Sequence, residues 1–540
     1  MVASYHVSLS QLLLSTTFFF QALALPAANA PRAASPTVTI ASGTIIGTTS
    51  QPTGLPSYAN AYLGVPFAKS PPERFSPPQA APAWNTPLVA QAFKPACIQQ
   101  FTDSGNSQII QKQIFGNPTG GLTPESEDCL YLNVFTPPNV TPSSKKSVMF
   151  WLFPGNLQFG TASLPIYDGS TLAVAQDVVV VTINYRTNIF GFSNSPEIPT
   201  GSQNAGYLDQ RFALQWVQNN IANFGGDPSK VTVFGESAGG ESVKQLLANP
   251  PNPLPFSAAI MESQQSMLMG SGADSYSKVL KNFNCKDLAC LRNVAATDIK
   301  SYIESAALVF PPVNGDGTSV ANVQDSIRTK KWAKVPVLMG TTLNEARAFL
   351  AVDGLNDGSG AVDAALAKVG INSAVTKATI FAQYALKGLS DMYVLADRIM
   401  TDAIFTCTTS TLSSFLAKNG YAVYRYRYDA VYTSTSIFKN AGSYHTSEIP
   451  SVFGTYPVYG SPSGQQAALS SYMQNLWVTF AAKSSGNLGW DKVGSTLMGG
   501  RELALLGAGN PAGVSPTSPA TADYPCVLYN GLADAMGFSW

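Results

Sequence analysis

The sequence predicts an α/β protein built on a large, mostly parallel central sheet with helices on both faces. Two observations predict it. Short apolar strand signals alternate with amphipathic helical ones along most of the 540 residues, the order expected when helices connect parallel strands. The longest apolar runs, such as Val178-Val179-Val180-Val181, are far too short to span a bilayer and read as strands buried on both faces. The chain is 45 % apolar, enough to bury a large core without help from metals or disulfides. Length alone suggests several domains, yet no linker-like stretch marks a boundary, so residues 25–540 are expected to form one domain.

Residues 1–24 stand apart. Leu12-Leu13-Leu14, Phe18-Phe19-Phe20 and Ala22-Leu23-Ala24-Leu25 form an apolar region followed by small residues and Pro26, the pattern of a secretory signal peptide. The segment lacks Lys and Arg before the apolar run, so a buried or anchoring N-terminal helix is the competing reading. Cleavage is expected after Ala24, or a few residues later near Ala28 or Ala30.

Further along, Met149 to Phe153 and Val178 to Ile183 read as central strands. Between Tyr207 and Phe224 the spacing of Leu208, Phe212, Trp216, Val217 and Ile221 marks one face of a helix, ended by Gly225-Gly226-Asp227-Pro228. Val231 to Phe234 reads as a strand, Gly235-Glu236-Ser237-Ala238-Gly239 as a sharp turn, and the stretch through Val243, Leu246 and Leu247 as a helix. Val335 to Met339 and Tyr421 to Tyr428 supply further strands. Charge is balanced, 32 basic against 32 acidic residues, so neither nucleic acid nor an anionic membrane is an indicated partner. Cys97, Cys129, Cys285, Cys290, Cys407 and Cys526 form an even set without metal-ligand spacing, which reads as three disulfides in an oxidising compartment. The sequon Asn139-Val140-Thr141, flanked by Pro138 and Pro142, is expected on an exposed loop as a glycosylation site.

The pattern G-x-S-x-G is common by chance in a chain with 44 glycines, so the pattern alone carries little. Its position between a buried strand and a helix carries more, because flanking glycines let the backbone hold a strained serine with its hydroxyl exposed. Ser237 is therefore the candidate nucleophile. A serine hydroxyl needs a base within hydrogen-bond reach and a third group to orient that base. Of the two histidines, His6 falls in the predicted signal peptide, which leaves His445 as the base. Order along the chain puts the acid between them. Glu345 stands out because it follows the strand-like Val335 to Met339 by a short turn, where open sheets gather their sites. Asn344-Glu345 also suits an ordinary helix start, and on position alone the two readings are equal.

The segments Tyr62-Leu63-Gly64-Val65-Pro66-Phe67-Ala68, Ser126-Glu127-Asp128-Cys129-Leu130-Tyr131-Leu132-Asn133-Val134, Asn184-Tyr185-Arg186, Leu208-Asp209-Gln210-Arg211 and Phe224-Gly225-Gly226-Asp227-Pro228 occur in an order that resembles the type-B carboxylesterase/lipase family. This is the cholinesterase-like branch of the α/β-hydrolase fold, and the likeness is to its fungal secreted esterases and lipases. The resemblance implies Ser237, Glu345 and His445 as a triad. It implies disulfides Cys97–Cys129 and Cys285–Cys290, which leaves Cys407 with Cys526. Arg74 with Glu127 and Arg186 with Asp209 resemble the family's structural ion pairs. Where the family carries three glycines, this chain has Pro154-Gly155-Asn156, and the family register implies Gly155, Asn156 and Ala238 as the oxyanion-hole donors, Pro154 having no N–H to give.

The resulting expectation is a secreted hydrolase of carboxylic esters that uses an acyl-enzyme intermediate, needs no metal or organic cofactor, and takes a small-molecule or lipid ester as its partner. The segment Ile98 to Asp128, with Ile109, Ile110, Ile114 and Phe115, corresponds to the lid region of family lipases. A lipase or sterol esterase is thus the first alternative. A catalytically silent adhesion or binding homologue is the second, because the glycine-poor oxyanion segment departs from the family. Neither the physiological ester nor the oligomeric state is legible.

Overall fold

The computed structural model describes residues 35–101, 105–117, 123–265, 270–355, 358–483, 488–496 and 500–530. The predicted signal peptide lies outside the described residues. From Pro36 onward the chain forms one unit by its internal contacts.

The strands in chain order are β1 (Thr37–Ile40), β2 (Gly43–Ile46), β3 (Thr48–Ser50), β4 (Ala59–Pro66), β5 (Leu88–Val89), β6 (Tyr131–Thr136), β7 (Lys146–Leu152), β8 (Val179–Ile183), β9 (Gly226–Glu236), β10 (Ala258–Glu262), β11 (Val337–Thr342), β12 (Val423–Tyr428), β13 (Leu503–Leu506) and β14 (Val514–Thr517). Among the described residues they make an 11-stranded sheet ordered β14-β13-β12-β11-β10-β9-β7-β8-β6-β4-β3 and a small sheet β1-β2-β5. The run from β13 through β8 is parallel. The strands beyond it on either side pair antiparallel. The sequence predicts the parallel centre, whereas the antiparallel margins and the second sheet are additions it does not signal. Central strands are buried throughout, as β8, β10 and β11 show, because crossover helices cover a parallel sheet. Trp151 on β7 packs against Phe234 on β9 with ring centres 4.8 Å apart.

The strand order determines where a site can form. From β7 the chain crosses to β8 on one side and then returns to β9 on the other, so the connections leaving β7 and β9 run in opposite directions. Open α/β sheets form their binding crevice at the carboxyl ends of strands flanking such a switch. The segment after β7 begins at Phe153, and the one after β9 begins at Ser237.

The six cysteines pair as Cys97–Cys129, Cys285–Cys290 and Cys407–Cys526. Arg186 and Asp209 form a buried two-pronged ion pair, with Nε to Oδ2 at 2.8 Å and Nη2 to Oδ1 at 2.7 Å. Arg74 pairs with Glu127. Asn139 is exposed in a turn between β6 and β7. No helix among the described residues is long and apolar enough to cross a membrane.

Candidate active site

Ser237 occupies the turn between β9 and the helix Ala238–Ala248 with φ 53° and ψ −120°. That is a strained backbone for a residue with a Cβ. The flanking glycines make the turn possible by close approach. A Cβ on Gly239 would lie 2.0 Å from the Leu152 carbonyl oxygen, and one on Gly235 would lie 2.6 Å from the Gly239 carbonyl carbon. The Ser237 N–H donates to the Glu262 carbonyl at 2.9 Å, tying the turn to β10.

Glu345 begins the helix Ala346–Val352 but does not cap it. Its carboxylate turns back toward the sheet instead, where Oε1 accepts from the Ser263 hydroxyl at 2.6 Å and the Thr342 N–H at 2.7 Å. Its Oε2 lies 2.6 Å from His445 Nδ1. Glu345 thus stands at a helix start, and the long-range contacts decide where its side chain goes. A carboxylate offers only acceptors, so Nδ1 is the donor in this contact. The loops carrying Glu345 and His445 are joined directly. The Asn344 N–H donates to Ser443 O at 3.0 Å, and the Ser443 N–H donates to Asn344 Oδ1 at 3.2 Å.

A cavity of about 110 Å³ joins these elements. Ser237 and His445 border it, as do Gly155 and Asn156 from the segment after β7. Phe115, Phe349 and Phe405 supply its aromatic wall, with the His445 ring centre 5.1 Å from Phe349 and 5.0 Å from Phe405. Phe405 reaches this position from a π-helical turn, Thr401–Thr406, that interrupts regular helix. Such turns re-aim side chains and recur at functional sites. Phe115 arrives from the helix Gly105–Phe115, within the segment predicted as a lid, while Ile109 on that helix is exposed.

The segment after β7 adopts left-handed backbone at Asn156 (φ 53°) and Leu157 (φ 56°). A Cβ on Gly155 would sit 2.1 Å from the Phe159 carbonyl oxygen, so glycine is required there. The Tyr185 hydroxyl donates to Phe153 O at 2.7 Å and the Asn188 N–H donates to Leu157 O at 2.7 Å, which pins the segment. Asn156 Nδ2 donates to Gln158 Oε1 at 3.0 Å. Ala238 is the first residue of the helix after Ser237.

Hydroxyl and imidazole are not yet engaged. The hydrogen bond recorded for Ser237 Oγ is a long one to the Gln265 carbonyl at 3.5 Å. His445 Nε2 makes no hydrogen bond and lies 3.1 Å from Glu236 Oε1. Unliganded sites often show such loose contacts, which tighten when substrate arrives. Glu236 and Glu448 are buried with no hydrogen-bond partner for either carboxyl oxygen. Burial pushes both well above the usual carboxyl range, Glu236 further by the charges of Glu448, Glu345 and Glu262, and Glu448 further by those of Glu262 and Glu345. Glu262, which accepts from Trp477 Nε1 at 2.6 Å, is raised by burial to about 8. Burial disfavours the charged form of each of these acids, and of the three Glu236 is the one that faces the imidazole, at 3.1 Å. Sequence reasoning did not find this group, nor Phe349, Phe405 and Gln265. Glu236, Glu262 and Gln265 carry one local signal, an acid or an amide at or just after a strand end, and Glu448, Phe349 and Phe405 carry none.

The arrangement is suited to proton transfer. An imidazole oriented by a carboxylate presents a free Nε2 beside a strained serine, and a glycine-containing turn borders the same small cavity.

Comparison with known proteins agrees with this chemistry. The profile of the carboxylesterase family matches residues 34–499. The chain is 32 % identical to the liver carboxylesterase of Sus scrofa over 84 % of this chain and 86 % of that one. It is 33 % identical to the para-nitrobenzyl esterase of Bacillus subtilis (strain 168) over 78 % and 85 %. Similarity to the cocaine esterase of Homo sapiens reaches 38 % but spans 58 % of this chain and 56 % of that enzyme. With a family match over most of its length and relatives aligned nearly end to end, the chain belongs to the carboxylesterase family and is a carboxylic ester hydrolase.

Proposed function

We propose that the protein hydrolyses esters by two-step acyl transfer through a Ser237-His445-Glu345 triad. Ser237 Oγ attacks the ester carbonyl while His445 Nε2 takes its proton. Glu345 holds the imidazole through Nδ1 and stabilises the charge it acquires. The backbone N–H groups of Gly155, Asn156 and Ala238 receive the developing oxyanion. His445 then returns the proton to the leaving alcohol, and water releases the acid by the same route in reverse. The observation that carries this reading is the 2.6 Å contact of Glu345 Oε2 with His445 Nδ1 beside a cavity that also contains Ser237. Ser237→Ala should abolish both ester turnover and labelling by an organophosphate; retained turnover would refute the assignment.

Secretion is the compartment we infer, supported by three disulfides, which persist in oxidising surroundings. Asn139, exposed in its turn, is the proposed glycan acceptor. A lidded lipase is the second reading. It is favoured by Phe115, whose ring centre lies 6.2 Å from that of His445 at the end of the helix Gly105–Phe115. Activation by emulsified triglyceride would favour the lipase, and hydrolysis confined to soluble short esters would favour the esterase.

A further inference from the structure

The cavity wall combines aromatic and amide side chains, and one of the amides is unsatisfied. Gln265 follows β10 by three residues, is 5 % exposed, and borders the cavity. Its backbone carbonyl accepts a long hydrogen bond from the Ser237 hydroxyl at 3.5 Å, which places the residue beside the candidate nucleophile. Its amide Nε2 is buried and has no hydrogen-bond partner. Buried donors are nearly always paired in folded proteins, so an unpaired donor on a residue that borders a binding cavity marks a place where a ligand can supply the acceptor once the amide turns toward it. The Asn156 amide is less available for that task, since its Nδ2 already donates to Gln158 Oε1.

The remaining lining limits what such a ligand can be. Phe115, Phe349 and Phe405 need an apolar body, and among the described residues of the lining His445 is the only ionisable side chain to pair with a charged substituent. We propose that Gln265 is a specificity-determining residue of the Ser237 site. Its amide N–H donates to an ether, hydroxyl or keto oxygen of an uncharged ester, carried within a few bonds of the reacting carbonyl. The enzyme therefore prefers oxygen-substituted esters to hydrocarbon esters of the same shape. A site that offers a buried donor discriminates against the analogue without the acceptor, because the donor then stays unpaired. This inference rests on the triad reading above.

The test compares kcat/KM for two isosteric pairs: nitrophenyl methoxyacetate against nitrophenyl butyrate, and methoxyethyl butyrate against butyl butyrate. The first pair varies the acyl group and the second the alcohol. Each ether-to-hydrocarbon ratio is read in the parent and in Gln265→Met, so intrinsic reactivity cancels. The ratio should fall about three- to tenfold in the variant for at least one pair, the scale of one neutral hydrogen bond. Unchanged ratios in both pairs would overturn the proposal. Should Gln265→Met prove inactive, Gln265→Leu is read in the same way and decides it by the same ratio. Failure of the triad reading has a different signature, since Ser237→Ala would then continue to hydrolyse all four esters.

Discussion

Asn344 and Ser443 exchange two hydrogen bonds, N–H to O at 3.0 Å and N–H to Oδ1 at 3.2 Å, and in doing so fasten the loop that carries Glu345 to the loop that carries His445. Glu345 and His445 are 100 residues apart in the chain, so this junction sets their geometry. Asn344 Nδ2 in turn donates to Asp397 Oδ2 at 2.7 Å, and Arg347 Nε donates to the same oxygen at 2.9 Å, which anchors the junction to a neighbouring helix. Asn344→Ala should lower kcat by up to about 100-fold, the scale on which misplacement near 1 Å acts, with KM changed much less. Steady-state kinetics on a soluble ester check this, and a parent-like kcat would mean the loops hold their positions without Asn344.

The Asn156 side chain occupies space at the cavity where a glycine would leave room, and it is held by Gln158. Asn156→Gly should shift the acyl preference toward longer or bulkier groups while keeping turnover, because glycine adopts the same left-handed backbone without strain. An acyl-length series run on both proteins is the measurement, and identical profiles would rule Asn156 out as a determinant.

Burial holds the Glu262 proton in the folded protein up to about pH 8, against an ordinary value of 4.5. The folded chain therefore binds a proton between these values that the unfolded chain has released. The stabilisation is fully present below pH 4.5 and is lost as the pH rises through 8. Melting temperatures followed across this interval should decline more steeply for the parent than for Glu262→Gln, which keeps the shape without the titration. Parallel declines would assign the pH dependence to other groups.

Cys407–Cys526 closes 119 residues and Cys285–Cys290 closes 5. Cross-links that close longer loops remove more freedom from the unfolded chain, so Cys407→Ser with Cys526→Ser should cost about 2–5 kcal/mol of stability, and the corresponding pair of changes at Cys285 and Cys290 less. Denaturant or thermal unfolding of the two double variants gives the comparison. The reverse order would show that native contacts around the shorter bridge outweigh loop entropy.

The turn at Ser237 was legible because its signal is local: an apolar strand, two glycines and a helix lie within one short stretch. The close approach that requires Gly239 was not local, since the carbonyl its Cβ would meet belongs to Leu152 on the neighbouring strand β7. His445 could be singled out by scarcity, as the sole histidine after the predicted signal peptide, and the structure sets it beside Glu345. The disulfide pairing and the ion pairs Arg74–Glu127 and Arg186–Asp209 were legible through resemblance, and the structure forms them.

Sequence by itself thus determined the parallel centre of the sheet, the serine turn and the supply of candidate groups, because strand burial, turn chemistry and composition are properties of short stretches. Tertiary structure alone decided which candidates meet. Glu345 became a partner of His445 only when Ser263 and Thr342 took its other oxygen. Glu236, Glu262 and Glu448 became acids with raised proton affinity only when separate elements packed them away from water. Phe115, Phe349, Phe405 and Gln265 became one cavity wall for the same reason. Proton affinity and substrate fit depend on desolvation and on distances of a few ångströms between groups remote in the chain, and packing is what sets both.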